Sequence, residues 1–365
     1  AMEAGQHFRS LGYHKPERES ESEWMMDLIN KDFGDKETIE RIVTSWEDSE
    51  YKKMLDEELT MLGIPKEVSS EPRYVADPHK QYYPVNFFQQ TWTLMNRGFL
   101  NMVRNPAVLW LRFGMYLMLA LMIGTIWLRL GSSSKVIQDI NGALFYIVAF
   151  FIFMSISVLP AYLEERSVLA KERANGAYSI LAYITAHTMY EIPYVAVLAL
   201  MSSLIVYWLI GLTSGADRFF IFLANLFMSL LVAESIMVMI SALVPILIVG
   251  IAFGAFIFGA FMCVMGFFIT LDQVGWWWRW MQYIALHYYS FSTFMYNQYH
   301  DTYWDPYVSP SGFPNYPNGV YGSEVLANYS LVEDIWINFL AMVVMFVVYR
   351  GIAAIYLHFR LTGKK

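Results

Sequence analysis

Three long stretches without a charged side chain constrain this chain more than any other feature. They run over residues 140–163, 192–216 and 235–271. A helix needs about 20 apolar residues to cross the roughly 30 Å hydrocarbon core of a bilayer, and each stretch is at least that long. Hydrophobic residues make up 56% of the chain and charged residues 16%, against about 45–50% and 25% in soluble domains. We therefore expect an all-α integral membrane protein.

The apolar segments predict six membrane-spanning helices. The expected spans are about 107–130, 140–162, 179–212, 219–243, 246–270 and 333–357. The uncharged run 235–271 is too long for one span, and Pro245 is the natural break within it. The aromatic stretch 83–106, with Arg97 and Arg104, predicts an amphipathic helix on the membrane surface; a soluble helix packed on its own domain is the alternative.

Basic residues near the span ends predict the orientation, because cytoplasmic loops are enriched in Lys and Arg. One side collects Arg97, Arg104, Arg112, Arg166, Lys171, Arg173, Arg360, Lys364 and Lys365, and the other Arg129, Lys135, Arg218 and Arg279. Both termini are therefore expected in the cytoplasm. The sequon at Asn328 falls in a loop that this orientation places outside, so Asn328 is a candidate glycosylation site.

The water-exposed parts are distinct from the spans. Residues 39–62 alternate charged and apolar positions and predict a solvated helix, and 62–80 reads as a linker. After the fifth span, the Trp- and Tyr-rich stretch 274–299 is expected either to dip into the membrane or to lie on its surface. The Pro- and Gly-rich stretch 301–323 predicts an irregular outer loop.

A short mixed-charge segment lies between spans two and three, in the sequence "EERSVLAKER" at 164–173. Its expected position is cytoplasmic, where it would dock a soluble partner or form an ordinary solvated loop. Within the predicted spans, Glu234 is the clearly intramembrane acidic residue. It could bind substrate or relay protons, but we favour a structural role in which it hydrogen-bonds between helices. The sequence shows no selectivity filter, no basic nucleic-acid patch and no metal-ligand cluster, and the lone Cys263 excludes an internal disulfide.

The order of these motifs resembles a known family. A surface helix ending in "RNP", "GALFY" opening span two, "EERSVLAKERANGAYS", "YEIPY" and a long outer segment after span five together resemble the membrane domain of G-subfamily ABC transporters, the white/pigment and multidrug-resistance type. The resemblance implies a remnant of a nucleotide-binding domain at 1–35, a cytoplasmic linker at 36–84 and an ABC-2 type transmembrane domain at 85–365.

The resemblance also implies a function. The implied protein is a plasma-membrane half-transporter that dimerises and exports lipids, sterols or other apolar or amphipathic molecules. Its transport would be driven by ATP and Mg²⁺ at a nucleotide-binding domain. The alternatives are half of a full-length multidrug transporter, or a channel or assembly subunit. The chain itself has no G-x-x-x-x-G-K-[ST] loop, so we expect no cofactor in it and no ATP hydrolysis by it; its abrupt start suggests a fragment.

Site residues follow from the same resemblance, which implies no catalytic residue. The coupling helix would contain Glu165, Arg166, Lys171, Glu172 and Arg173. The substrate cavity on the dimer axis would be lined by Ala149, Phe150, Phe153, Gly259 and Met262, and the exit would be plugged by Phe267 and Phe268. Small residues at Gly250, Gly254 and Gly259 allow close helix packing, either between two halves or within one.

Overall fold

The computed structural model divides the chain into two compact units, residues 1–82 and 83–365. It describes residues 8–15, 24–25, 28, 36–61, 83, 85–270, 273–308, 318–331 and 334–360. The predicted linker 62–80 and most of 1–35 lie outside the described residues. Almost all described secondary structure is helical, which confirms the expected all-α membrane class.

Within the described residues of the first unit, two helices lie where the sequence predicted a single helix over 39–62. Helix α1 spans Lys36–Glu47 and α2 spans Glu50–Met61. The break occurs at Ser49, whose hydroxyl accepts a hydrogen bond from the Lys52 backbone N–H at 3.2 Å. Serine is a favoured N-cap because it satisfies a free amide at the start of a helix, so the predicted single helix over 39–62 is wrong.

The second unit is a bundle of long apolar helices. Its first members are α3 (Phe87–Arg104), α4 (Arg112–Ile126), α5 (Ile137–Phe153), α6 (Leu159–Ala174), α7 (Ile180–Ile210), α8 (Ala216–Leu243) and α9 (Leu247–Cys263). Among the described residues, five helical segments are long and apolar enough to cross a membrane: 109–126, 134–174, 180–210, 216–243 and 335–360. Helix α9 is apolar but has only 17 residues, about 25 Å of helix.

The fifth predicted span is therefore shorter than expected. Helix α8 ends at Leu243 and α9 begins at Leu247, so the break falls at Pro245. At its other end α9 stops at Cys263 instead of near residue 270. Gly266 follows in a left-handed conformation with φ +96°, which glycine adopts without steric cost and which ends a helix.

The mixed-charge segment continues the second span instead of forming a separate short helix. Helix α5 runs through a 3₁₀ stretch, Met154–Val158, directly into α6, which we call the charged helix. The hydroxyls of Ser155 and Ser157 each donate to a carbonyl three residues earlier, at 2.7 Å, and this local bonding competes with the regular helix ladder. The charged helix ends at Ala174, and Gly176 follows with φ +69°.

Helix α8 forms the centre of the bundle. Most of its residues in the most apolar part of the helix are buried inside this one chain. Helix α8 packs against α7, the charged helix and the last span, α13 (Ile335–Arg360). Helix α3, which we call the surface helix, packs along α7. It buries only Gln90, Thr91 and Leu94, while Phe88 and Trp92 are exposed, as an interfacial helix would require.

The segment between α9 and α13, called the outer segment because the sequence predicts it on the outer side, is more ordered than the sequence indicated. Its aromatic stretch forms two helices, α10 (Trp276–Ile284) with no buried residue and α11 (Leu286–Tyr299) with nearly all residues buried. A two-stranded antiparallel hairpin, β1 (Tyr303–Trp304) and β2 (Val320–Tyr321), and helix α12 (Gly322–Tyr329) follow. The expectation of a wholly irregular loop over 301–323 is thus wrong.

Candidate functional site

The charged helix is tied to the third span through Glu165. Its carboxylate accepts hydrogen bonds from the hydroxyls of Tyr183 and Tyr190, at 3.1 and 3.0 Å. The Nε2 atom of His187 lies 3.7 Å from the same carboxylate. Tyr183, His187 and Tyr190 are three or four residues apart on α7, so they share one helix face. A movement of Glu165 would therefore act on one side of the third span.

The charged helix is also tied to the surface helix. Arg97 forms an ion pair with Glu172 at 2.6 Å, and the Tyr178 hydroxyl donates to the other Glu172 oxygen at 2.6 Å. The hydrogen bond to Glu172 raises the pKa of the Arg97 guanidinium, and burial raises the pKa of the Tyr178 phenol, so both keep their donor protons. Because Arg97 and Glu172 are partly exposed, the pair alone contributes at most about 1 kcal/mol.

Two arginines of the charged helix contact other spans. Arg166 donates to the Ser241 carbonyl near the end of α8, at 2.7 Å. Arg173 is buried, and its guanidinium lies 3.4 Å from Nδ1 of His358 on α13. Lys171, in contrast, is exposed. Four of the five residues predicted for coupling thus hold the charged helix against its own domain, and Lys171 faces outward.

A buried polar network connects α7, α8, α13 and the charged helix. Arg350 on α13 pairs with Glu191 on α7, and it also contacts Nδ1 of His187 at 2.9 Å and the Ser235 hydroxyl at 3.1 Å. The Tyr162 hydroxyl donates to Glu191 at 2.8 Å. Glu191 and Arg350 are charged residues within otherwise apolar segments of the sequence. Their opposite charges at the same depth of two spans were the available signal.

The intramembrane acid Glu234 has a partner on the first span. It forms a fully buried ion pair with Arg112 at the start of α4. The Arg112 guanidinium also lies over the rings of Tyr194 and Tyr116, at 5.2 and 5.6 Å. The favoured interpretation of Glu234, a polar link between helices, agrees with this geometry. From the sequence, Arg112 was expected only to be one of the basic residues that set the orientation.

The predicted cavity residues lie on spans two and five. Phe153 is 36% exposed and Phe150 is half-buried, whereas Ala149 is fully buried within the chain. Gly259 and Met262 are half-buried on α9. A Cβ added at Gly259 would meet nothing within 4 Å, so this position faces open space in the single chain.

The other small residues of α9 pack inside the chain. A Cβ at Gly250 would lie 2.7 Å from the Leu159 side chain, and one at Gly254 would lie 3.1 Å from Met237. Of the two interpretations of this glycine series, packing within one half therefore applies to Gly250 and Gly254. Gly259 differs from both of them.

The predicted exit residues contact the second span. The ring of Phe267 stacks on Phe145 with centroids 4.6 Å apart, and Phe268 meets the same ring edge-on at 5.0 Å. Phe268 is 65% exposed. The pair thus packs around the ring of Phe145 on α5. The predicted glycosylation site, Asn328, is exposed in the last turn of α12.

Comparison with known proteins defines the class. Residues 89–299 match the family model described as ABC-2 type transporter. The match covers the surface helix, the charged helix and the first five predicted spans. The chain belongs to the ABC-2 type transporter family and is the membrane part of an ABC transporter.

Individual relatives narrow the class to the G subfamily. The chain is 33% identical over 267 residues to ABC transporter G family member 11 of Arabidopsis thaliana, covering 73% of this chain and 37% of that protein. It is 25% identical over 313 residues to G family member 1 of Petunia hybrida, covering 82% and 48%, and 30% identical over 229 residues to Arabidopsis member 23, covering 62% and 36%. The chain therefore spans less than half the length of each of these relatives.

Proposed function

We propose that this chain is the membrane-spanning part of an ATP-driven half-transporter that dimerises and exports an apolar or amphipathic molecule, such as a lipid or sterol. The proposal places both termini in the cytoplasm and the transporter in the plasma membrane. ATP and Mg²⁺ would act at a nucleotide-binding domain, and Asn328 would carry a glycan on the outer face. The membrane part of such a transporter must receive a movement and pass it to the substrate path.

The attachment of the charged helix is the observation that carries the proposal. This helix is covalently continuous with the second span through Met154–Val158. It contacts the third span through Glu165, the fourth through Arg166 and the last through Arg173. A push on its exposed side, where Lys171 lies, would therefore reach four spans at once. This arrangement suits a coupling helix that docks a nucleotide-binding domain.

The second supporting feature is the chemistry of the expected path. Phe150, Phe153 and Met262 offer polarizable and adaptable surfaces for apolar ligands. Gly259 leaves space beside them. In a dimer, two such surfaces facing each other would form an oily cavity, which Phe267 and Phe268 would close on the outer side.

An uptake experiment tests the proposed function. The transporter carrying this domain together with its nucleotide-binding domain is reconstituted in inside-out vesicles with labelled sterol, phospholipid or planar xenobiotic. We expect ATP-dependent uptake of at least one of these classes, absent when ATP is replaced by a non-hydrolysable analogue. If the uptake of all three substrate classes were the same with and without ATP, the result would contradict the proposal and favour a passive channel.

A further inference from the structure

A cavity of about 640 Å³ lies on the inner side of the bundle, between the surface helix, the charged helix and α7. Its rim includes the exposed residues Arg104 and Glu164. Its floor includes Glu191 and the Arg112–Glu234 pair, all buried. Ligand pockets in proteins measure roughly 300–1,000 Å³, so this cavity has the size of a small-molecule or headgroup site.

Four tyrosines line the cavity, and their hydroxyl groups are already engaged. Tyr162 donates to Glu191, Tyr183 and Tyr190 donate to Glu165, and Tyr194 donates to the Leu109 carbonyl, at 2.8–3.1 Å. The rings of Tyr162, Tyr183 and Tyr190 surround His187 at centroid distances of 4.9–6.0 Å. With the hydroxyls committed, the tyrosines offer a ligand their ring surfaces. Aromatic walls of this kind attract ammonium groups.

The charges around the cavity match a ligand that carries both signs. Arg97 is paired with Glu172, Arg112 with Glu234 and Glu191 with Arg350. Among the described residues, Arg104 and Glu164 have no ion-pair partner. Glu165 accepts hydrogen bonds from two neutral tyrosine hydroxyls, and Nε2 of His187 lies 3.7 Å from its carboxylate. Among the described lining residues, one unpaired cation, Arg104, and two acidic groups, Glu164 and Glu165, would suit a phosphate joined to an ammonium group and would disfavour a purely anionic ligand.

The rim of the cavity lies where lipid headgroups are expected. Arg97, Asn101 and Arg104, at spacings of four and three residues, put one face of the surface helix on the cavity. Phe88, Trp92, Phe99 and Val103, at spacings of four, seven and four, form another, exposed apolar face. A helix with these two faces lies in the membrane interface with its apolar side in the acyl chains. Its cavity side is then at headgroup depth.

We propose that this cavity binds the phosphoammonium headgroup of a zwitterionic phospholipid from the adjacent leaflet. The phosphate lies at Arg104, and the ammonium lies between Glu164, Glu165 and the tyrosine wall. The bound lipid would fill the space between the surface helix and the charged helix as a component of the assembly, not as its cargo. The inference therefore goes beyond the proposed export function and does not depend on it.

Binding measured by native mass spectrometry tests the site. The purified, delipidated protein in detergent is titrated with dioleoyl phosphatidylcholine, dioleoyl phosphatidylglycerol and water-soluble glycerophosphocholine. We expect one saturable phosphatidylcholine per chain, bound at least about tenfold more tightly than phosphatidylglycerol. Arg104→Gln and Glu164→Gln should each weaken phosphatidylcholine binding about tenfold, which corresponds to the loss of one charged contact.

Two matched variants serve as controls. Lys171 lies on the same charged helix and Arg360 at the end of α13, and neither residue lines the cavity. The variants Lys171→Gln and Arg360→Gln should therefore bind phosphatidylcholine as tightly as the parent protein. All four residues are exposed, and such substitutions usually change stability by no more than about 0.5 kcal/mol. Equal affinity for the two lipids, or parental binding by both rim variants, would overturn the proposal. If glycerophosphocholine bound as tightly as phosphatidylcholine, the ligand would be a free headgroup compound, and the proposal of a bound membrane lipid would be overturned.

Discussion

Single buried charges set the strongest constraints on this fold at the scale of the residue. Glu191 and Arg350 are about 95% removed from solvent and belong to different spans. Such a pair contributes little net stability, because desolvation offsets the attraction, but the loss of one partner leaves an uncompensated buried charge. The network around them therefore fixes how α7 and α13 meet.

Replacing Arg350 alone should be strongly destabilising. We expect Arg350→Met to lower the free energy of unfolding by about 3–5 kcal/mol, because the buried Glu191 carboxylate then loses its arginine partner and keeps only Tyr162 and His187 as polar neighbours. The double variant Glu191→Leu/Arg350→Met should recover most of this loss. Thermal unfolding in detergent measures both. Arg360→Met, an exposed position on the same helix, is the control, and an Arg350→Met midpoint equal to that control would refute the role of the pair.

Phe153 provides a residue-scale test of the proposed substrate cavity. Stacking of an aromatic ring on a flat ligand is worth about 0.5–1.5 kcal/mol, so Phe153→Ala should raise the substrate concentration for half-maximal ATPase stimulation roughly two- to tenfold. Phe220→Ala, on an exposed phenylalanine of the fourth span, should leave it unchanged. Equal stimulation curves for the Phe153 variant and the parent would remove Phe153 from the cavity.

Residue types were predictable from the sequence, but their pairing was not. The acid at Glu234 and the charges at Glu191 and Arg350 stand out in apolar surroundings. Arg112 is found beside Glu234, and Arg350 beside Glu191, only after four spans have been packed together. The same limit applies to Glu165, whose tyrosine partners lie 18 and 25 residues away along the chain.

At the scale of the element, hydrophobic length predicted the spans better than their ends. The long uncharged runs do form helices, because backbone polar groups in a bilayer must be satisfied within the segment. The ends depend on local chemistry that the length does not contain. Ser155 and Ser157 bond locally without stopping the second span, and the charged helix continues it to Ala174. Gly266 comes after the early end of α9.

The outer segment offers a test of element packing. At Gly322, the first residue of α12, a Cβ atom would overlap the backbone carbonyl of Tyr299. Because backbone yields little, Gly322→Ala should destabilise the outer segment by about 1–3 kcal/mol or more. At Gly351 in α13 a Cβ meets nothing within 4 Å, so Gly351→Ala should be neutral or stabilising. Thermal midpoints of the two variants decide this, and equal midpoints would contradict the close approach at Gly322.

At the scale of the whole molecule, the charged helix and the outer segment must lie on opposite sides of the membrane if the charged helix docks a cytoplasmic domain. In a Cys263→Ser background, Lys171→Cys should react with a membrane-impermeant maleimide only after cells are permeabilised. Asn328→Cys should react in intact cells. Both parent side chains are exposed in this chain, so neither is hidden by its own domain. Labelling of Lys171→Cys in intact cells would place the charged helix beyond the reach of any cytoplasmic partner.

The transport achieved per ATP hydrolysed tests the coupling role of the charged helix most directly. Glu165 and Arg173 connect this helix to the third and last spans, and hydrogen bonds to charged groups contribute about 1.5–3 kcal/mol. We predict that Glu165→Ala and Arg173→Ala each lower transport per ATP about tenfold or more, at unchanged surface level, while Arg360→Ala keeps the parental ratio. A parental ratio in both Glu165→Ala and Arg173→Ala would contradict the account.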